Sequence, residues 1–131
     1  MAAAFGAYFP GDDWVDDAAL DGYNYGPVHD TPWRSFDQVF QGSYNVLARL
    51  STKPLMITET SSTEVGGSKA DWIAGIPQAL TLKMPRIRAL IWFDVDKESD
   101  WSVSSSKSSL AAFRHIVTTG ALSGQLRGLL G

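Results

Sequence analysis

The chain has 131 residues, which is sufficient for one domain, and residues 1–131 are expected to form a single one. Its net charge of −3 comes from 14 acidic and 11 basic residues without any block of like charge, which argues against a nucleic-acid or an anionic-membrane partner. It contains no cysteine, which excludes disulfides and thiolate metal sites.

The first residues form a short apolar stretch without a basic start. Such a stretch is neither a typical secretory signal nor long enough to span a bilayer. The cytoplasm is therefore the expected compartment, although a piece of a longer secreted parent would have the same features. Aromatic residues make up 11% of the chain, and several fall in loop-like segments, where aromatic rings commonly bind the apolar faces of sugars.

Predicted strands and helices alternate along the first half of the chain. The first predicted strand is Trp14–Tyr23, and its polar character suits the edge of a sheet. A helix follows over Ser35–Leu50, where apolar residues recur at helical spacing and Gly42 and Ser43 are points at which it bends or splits. The continuous apolar run Pro54–Thr58 predicts a strand that is buried on both faces.

The second half repeats this alternation. Thr60–Gly67 predicts a polar loop, after which Ser68 caps a helix that Pro77 bends or breaks. Arg86–Phe93 is the third apolar strand and precedes a serine-rich loop. The next helix is predicted over about Ser108–Thr119, and the leucine-rich tail after it predicts one more short helix.

This alternation predicts an α/β fold of three parallel βα units with right-handed crossovers. Polar and aromatic residues lie at the end of each predicted strand or just after it: Asp21, Tyr23 and Asn24 at the first, Glu59 at the second, and Trp92, Asp94 and Asp96 at the third. In parallel α/β folds, the carboxyl ends of the strands carry the chemistry. The sequence therefore predicts a functional site at this rim of the sheet.

Several of these segments resemble the C-terminal part of the family 26 glycoside hydrolases, which are clan A enzymes, mostly β-mannanases with some mixed-linkage β-glucanases. They match strands six, seven and eight of that barrel, together with the approach to strand six, the helix after it and the loop of strand eight. In chain order the segments are Tyr8–Asp16, Leu20–Asn24, Trp33–Asp37, Lys53–Thr60, Ile91–Phe93 and Asp100–Trp101. The resemblance extends from about Phe5 to Phe113. It implies a partial, half-like (β/α)8 TIM barrel.

The resemblance also implies roles for individual residues. Glu59 is the expected nucleophile of a retaining β-glycosidase, Tyr23 donates a hydrogen bond to it, and Trp92 forms the floor of the sugar subsite. The further expected substrate contacts are Asp21, Asn24, His29 and Trp101. No cofactor or metal is expected, because Gly66-Gly67 lacks a phosphate-loop pattern and the two histidines lack metal-site spacing.

A second carboxyl group is the difficulty with this interpretation. Retaining hydrolysis uses two carboxyl groups about 5–5.5 Å apart, and the family's acid/base glutamate lies on strand four, which is absent here. Asp94 is the first candidate to replace it, ahead of Asp96, Glu98 and Glu64. Asp21 is expected to be buried and hydrogen-bonded instead.

Three strands alone leave unpaired edges and an exposed apolar face, so we expect a homo-oligomer whose copies cover one another and complete an open cleft of broad specificity. Two other interpretations stay open, a non-catalytic sugar-binding remnant and an interaction subunit that docks another chain. The sugar-binding remnant keeps the rim of Tyr23, Glu59 and Trp92 without an acid partner. At the level of single residues, Glu59 as a structural acid at a strand end and Trp92 as a core residue also stay open.

Overall fold

A computed structural model describes residues 2–120 and residue 122, with side chains from residue 5 onward. The predicted helix in the leucine-rich tail lies outside the described residues. The helices are α1 (Ala2–Tyr8), α2 (Phe36–Leu50), α3 (Lys69–Ala74), α4 (Ile76–Leu82) and α5 (Lys107–Thr118). The strands are β1 (Ala18–Asn24), β2 (Leu55–Ser62) and β3 (Ile87–Trp92). Short 3-10 turns occupy Asp12–Trp14 and Gly26–His29.

The three strands form one parallel sheet in the order β1-β2-β3, which confirms the predicted α/β fold with parallel strands. β1 lies at an edge, as its polar sequence predicted. The register of β1 on β2 changes after Leu20, which pairs with Ile57, so that Asp21 is the partner of Glu59. This irregularity places two carboxylate residues side by side at the carboxyl end of the sheet.

The predicted start of the first strand at Trp14 is wrong, because residues 12–14 form a 3-10 turn and pairing begins at Ala18. Asp12 fixes this turn by accepting hydrogen bonds from the hydroxyl of Ser51, at 2.5 Å, and from the backbone amide of Thr52, at 2.8 Å. The predicted loop after β2 also begins later than expected, since β2 continues to Ser62. Both differences are strand ends, which the apolar pattern specifies poorly.

Helix α2 begins after a capping box, in which the side chains of Ser35 and Gln38 satisfy backbone amides at its first turn. It continues through Gly42 and Ser43 without splitting. The next predicted helix does break, and it does so at Gly75, which separates α3 from α4. Pro77 lies in the first turn of α4, where backbone N–H groups make no hydrogen bond within the helix. The absence of an N–H in proline therefore costs no helical hydrogen bond there.

The helices cover one face of the sheet with a continuous apolar core. The buried residues at its centre are Leu20, Phe36, Phe40, Leu55, Ile57, Ile73 and Ile76. Gly22 allows the close approach of α2 to β1, because a Cβ atom at this position would lie 2.7 Å from Cε1 of Phe40. Alternation along the strands sends the intervening side chains to the opposite face.

The opposite face of the sheet is open, and Asp21, Glu59 and Ile91 are exposed on it. Apolar grooves also follow both edges. One, of about 600 Å³, runs along β3 and is lined by residues that include Leu90, Phe113 and Val117. The other, of about 430 Å³, lies at β1. None of the helices among residues 2–120 is long and apolar enough to cross a membrane.

Candidate active site

Glu59 and Tyr23 form the centre of the candidate site. The phenolic hydroxyl of Tyr23 donates a 2.5 Å hydrogen bond to Oε2 of Glu59. Burial, and then the hydrogen bond to Glu59, raise the pKa of Tyr23 well above its usual range. The phenol is therefore a neutral hydrogen-bond donor near neutral pH. The predicted hydrogen-bonding partner of Glu59 is in place.

Asp21 lies beside this pair. Its position on β1 is registered with Glu59 on β2, and Thr58 donates a 2.6 Å hydrogen bond from Oγ1 to Oδ1 of Asp21. The expectation that Asp21 is hydrogen-bonded is confirmed, but the expectation that it is buried is wrong, because its side chain is exposed. The reason is alternation: Leu20 faces the helices, so Asp21 faces the open side.

An aromatic cluster supports Tyr23. The ring centroids of Tyr25, Phe93 and Trp101 lie 5.5, 5.8 and 5.4 Å from the centroid of Tyr23. His29 extends the cluster outward, with its ring 4.6 Å from that of Tyr25, and it remains exposed. Edge-to-face and tilted ring contacts of this kind favour fixed side-chain orientations. The cluster therefore restricts how the Tyr23 phenol approaches Glu59.

Trp101 is fully buried and backs the two tyrosines. Its carbonyl oxygen accepts hydrogen bonds from the hydroxyl of Ser61, at 2.7 Å, and from the indole N–H of Trp92, at 2.8 Å. The direct sugar contact predicted for Trp101 stays a prediction, and its burial favours a supporting position behind Tyr23 and Tyr25.

Lys69 fixes the loop that carries Trp101. Its ammonium group is buried and donates to the carbonyl oxygens of Asp100, at 3.1 Å, and Ser102, at 2.6 Å, and to the hydroxyl of Ser105, at 3.0 Å. Burial lowers the pKa of Lys69. Sequence reasoning missed this residue, because a lysine in the first turn of a capped helix ordinarily predicts a solvated side chain.

Trp92 lies on the helix side of the sheet. Its ring packs against Trp72 of α3, at 6.0 Å between centroids, and against Phe113 of α5, at 5.7 Å. Its strand partner Thr60 is also buried. The structure thus places Trp92 with core residues rather than with Glu59, which favours the core interpretation, and its role as a subsite floor stays a prediction.

Asn24 is a buried link between the two strands that carry the site. Its side-chain amide donates to the hydroxyl of Ser62 at 3.0 Å, and its Oδ1 accepts from the backbone amide of Arg34 at 3.0 Å. Both ends of the amide are therefore occupied within the protein. This position suits the alignment of β1 with β2 better than contact with a ligand.

The remaining acidic candidates belong to the loop after β3 and its surroundings. Oδ1 of Asp94 accepts from the backbone amide of Val103 at 2.7 Å, and Glu64 accepts from the hydroxyl of Ser105 at 2.7 Å. Asp96 forms an isolated bridge with Asp100. Among the residues that the structure describes, no cluster of His, Cys, Asp or Glu has the arrangement of a metal site.

Comparison with known proteins relates the chain to a glycoside hydrolase. It is 40% identical over 116 residues to endoglucanase H of Acetivibrio thermocellus. The match covers 87% of this chain and 13% of the endoglucanase, so the chain spans only a small part of that relative. No protein-family model matches the chain. The match supports a relationship to glycoside hydrolases, whereas membership of clan A and family 26 stays a prediction.

Proposed function

We propose that this chain hydrolyses β-linked glycosides by a retaining mechanism, with Glu59 as the nucleophile. The observation that carries the proposal is the hydrogen bond from Tyr23 to Glu59 on the exposed face of the sheet, at the carboxyl end of a parallel strand. The kinship with an endoglucanase supports the same chemistry. Carboxyl ends of strands are where parallel α/β folds bind and transform substrates.

The proposed mechanism has two steps. In the first, a carboxylate oxygen of Glu59 attacks the anomeric carbon while the glycosidic oxygen receives a proton from a second carboxyl group. In the second, water attacks the glycosyl-enzyme and releases Glu59. Tyr23 holds one carboxylate oxygen, which leaves the other to attack. The fixed geometry lowers the entropic part of the barrier.

The architecture that we propose is a partial, half-like (β/α)8 barrel with three parallel βα units. Strand order β1-β2-β3 follows chain order and the helices lie on one face, as in consecutive units of such a barrel. The three βα units of the described residues correspond to three of the eight units of a complete barrel. The resulting cleft is shallow and open, which favours short or activated substrates and broad specificity.

The same architecture supports self-association. Apolar grooves along β1 and β3 and an exposed sheet face leave surface that a second copy can cover. We propose that copies of this chain pair in solution and deepen the cleft around Glu59. The proposed binding partners are therefore a carbohydrate substrate and a second copy of this chain.

Hydrolysis of aryl β-glucosides and β-mannosides by the wild type and by Glu59→Ala tests the nucleophile. We expect the substitution to reduce kcat by at least about 10³-fold, as losses of nucleophiles do. Azide should restore turnover and give the α-glycosyl azide, since it attacks from the face that Glu59 vacates. Asp17→Ala, which removes an exposed acid directly before β1, is the matched control.

Two results would contradict the proposal. Turnover that survives Glu59→Ala within a few-fold of the wild type excludes Glu59 as the nucleophile. Sugar binding by the wild type without any turnover, measured by calorimetry with short β-glucans, supports the non-catalytic interpretation instead.

A further inference from the structure

We propose that Lys69 is a positioning residue of the candidate site. Its buried ammonium group holds the loop between β3 and α5, residues 93–106, in the conformation that places the Trp101 ring behind Tyr23. That ring in turn fixes the direction from which the Tyr23 phenol meets Glu59. The effect of Lys69 on turnover rests on the proposed function, whereas its effect on the position of the phenol does not.

The Lys69 ammonium group has as many hydrogen-bond acceptors as it has donors. The acceptors are the carbonyl oxygens of Asp100, at 3.1 Å, and Ser102, at 2.6 Å, and the hydroxyl oxygen of Ser105, at 3.0 Å. An ammonium group has three donors and no acceptor, so these three contacts satisfy it completely. All three acceptors are neutral oxygens of the same loop.

The burial of the ammonium group and the position of the loop depend on each other. Removing an ammonium group from water is unfavourable unless its N–H groups are bound. Two of the three acceptors are the carbonyl oxygens on either side of Trp101. If this segment moved away, Lys69 would lose both acceptors while its backbone stayed in the first turn of α3. The lysine therefore opposes displacement of the segment that carries Trp101.

Two strands bind the same segment from other directions. The carbonyl oxygen of Trp101 accepts hydrogen bonds from Ser61 of β2 and from the indole N–H of Trp92 of β3. The ammonium group of Lys69 also lies 5.7 Å from the centroid of the Trp92 ring. Three successive carbonyl oxygens are thus bound by side chains of α3, β2 and β3, which gives the Trp101 ring a defined place.

The ring of Trp101 contacts both tyrosines of the site. Its centroid lies 5.4 Å from that of Tyr23 and 5.4 Å from that of Tyr25. The phenol of Tyr23 donates its hydrogen bond to Glu59 on the other side. Hydrogen bonds weaken steeply when they are misaligned, so a displaced indole ring would weaken this contact. The chain of contacts runs from the ammonium group to the carboxylate through two aromatic rings.

Nuclear magnetic resonance of carbon-13-labelled tyrosine tests this positioning without an activity assay. The chain contains four tyrosines. We expect Lys69→Met to shift the ring signals of Tyr23 and Tyr25, because the neighbouring indole ring moves, and to leave the signals of the core residue Tyr44 in place. Lys107→Met is the matched control, since Lys107 is also the first residue of a serine-capped helix but is exposed.

A double substitution separates positioning from a general loss of stability. We expect Lys69→Met to lower kcat for an aryl β-glucoside by between about 5-fold and about 10²-fold, the cost of a misplacement of about 1 Å, and to change KM less than about threefold. In the Tyr23→Phe background the same substitution should cost less than about threefold, because the hydrogen bond through which Lys69 acts is already absent. Equal losses in the two backgrounds would contradict the proposal.

Chemical rescue tests whether the ammonium group itself is responsible. The chain contains no cysteine, so Lys69→Cys introduces a unique thiol. Alkylation in urea with bromoethylamine, followed by refolding, restores an ammonium group at nearly the original distance from the backbone. Alkylation with propyl iodide gives a side chain of similar length without donors or charge. The first product should return the signals of Tyr23 and Tyr25, and kcat, towards the wild-type values, and the second should not.

The outcomes decide between the alternatives. If the signals of Tyr23 and Tyr25 in Lys69→Met coincide with those of the wild type, or if the two alkylated products behave alike, Lys69 does not position the phenol. If circular dichroism shows that Lys69→Met does not fold, Ser105→Ala decides, because it removes one acceptor only: the same two signals should shift by a smaller amount, and unchanged signals overturn the proposal. If the wild type shows no turnover, the proposed function fails, and the tyrosine signals decide on Lys69.

Discussion

Replacing Tyr23 by phenylalanine removes one hydroxyl group and leaves the ring in the aromatic cluster. The lost interaction is the 2.5 Å hydrogen bond to Oε2 of Glu59. A hydrogen bond to a charged group contributes about 1.5–3 kcal/mol, and each 1.4 kcal/mol or so is a factor of about ten. The full loss therefore corresponds to about 10- to 150-fold.

The upper value is a limit, because the bond weakens as the charge of Glu59 passes into the bond with the sugar. We expect kcat for an aryl β-glucoside to fall about 10- to 100-fold and KM to change less than about threefold, since the phenol positions the nucleophile rather than the ground-state substrate. Steady-state kinetics near pH 6 measure both constants.

Tyr8→Phe is the matched control, because the phenol of Tyr8 is 87% exposed and lies far from β2 in the chain. Activity of Tyr23→Phe within threefold of the wild type would show that the hydrogen bond does not position Glu59. An equal loss in Tyr8→Phe would show that the effect is not local to the site.

Three further predictions concern stability and assembly. Gly22→Ala would place a Cβ atom 2.7 Å from Phe40, so we expect the free energy of unfolding measured in urea to fall by about 1–3 kcal/mol. Gly42→Ala is the control, because the space around Gly42 is open and the unfolding free energy should not fall. Hydrogen bonds from Ser51 and Thr52 lower the pKa of Asp12 from 3.8 to about 2. The stabilising contribution of Asp12 is therefore present above pH 3.8 and is lost as the pH falls towards 2. Asp12→Asn should flatten the dependence of the melting temperature on pH in this range, and an unchanged slope would contradict the assignment. Val117→Lys in the β3 groove should shift the mass measured by light scattering towards that of a monomer. The control Val65→Lys, in an exposed loop, should leave this mass unchanged. A monomeric wild type at micromolar concentration would exclude self-association.

The sequence predicted the parts of the fold that depend on repeated apolar positions. The helix over Phe36–Leu50 and the buried strand that begins at Leu55 both follow from such patterns, and both are present. The start of β1 was misplaced because Asp12 makes long-range hydrogen bonds with residues about forty positions away. Local patterns contain no information on such contacts.

The sequence predicted only part of the candidate site, again because local patterns contain no information on long-range contacts. The hydrogen bond between Tyr23 and Glu59 followed from a family resemblance, and the structure contains it. The pairing of Asp21 with Glu59 depends on a register change that apolar alternation does not reveal. The buried position of Lys69 depends on three oxygens from a loop more than thirty residues away. Contacts of this kind appear only when the chain is folded.

The agreement between strand order and chain order has a consequence for how such a unit can be used in larger proteins. Within the described residues, no connection crosses from one edge of the sheet to the other, and β1 and β3 each have a strand neighbour on one side only. A gene fusion can therefore append further βα units on either side without rethreading the existing ones. The unit is modular in this sense, and a segment of similar sequence forms a small part of a much longer endoglucanase.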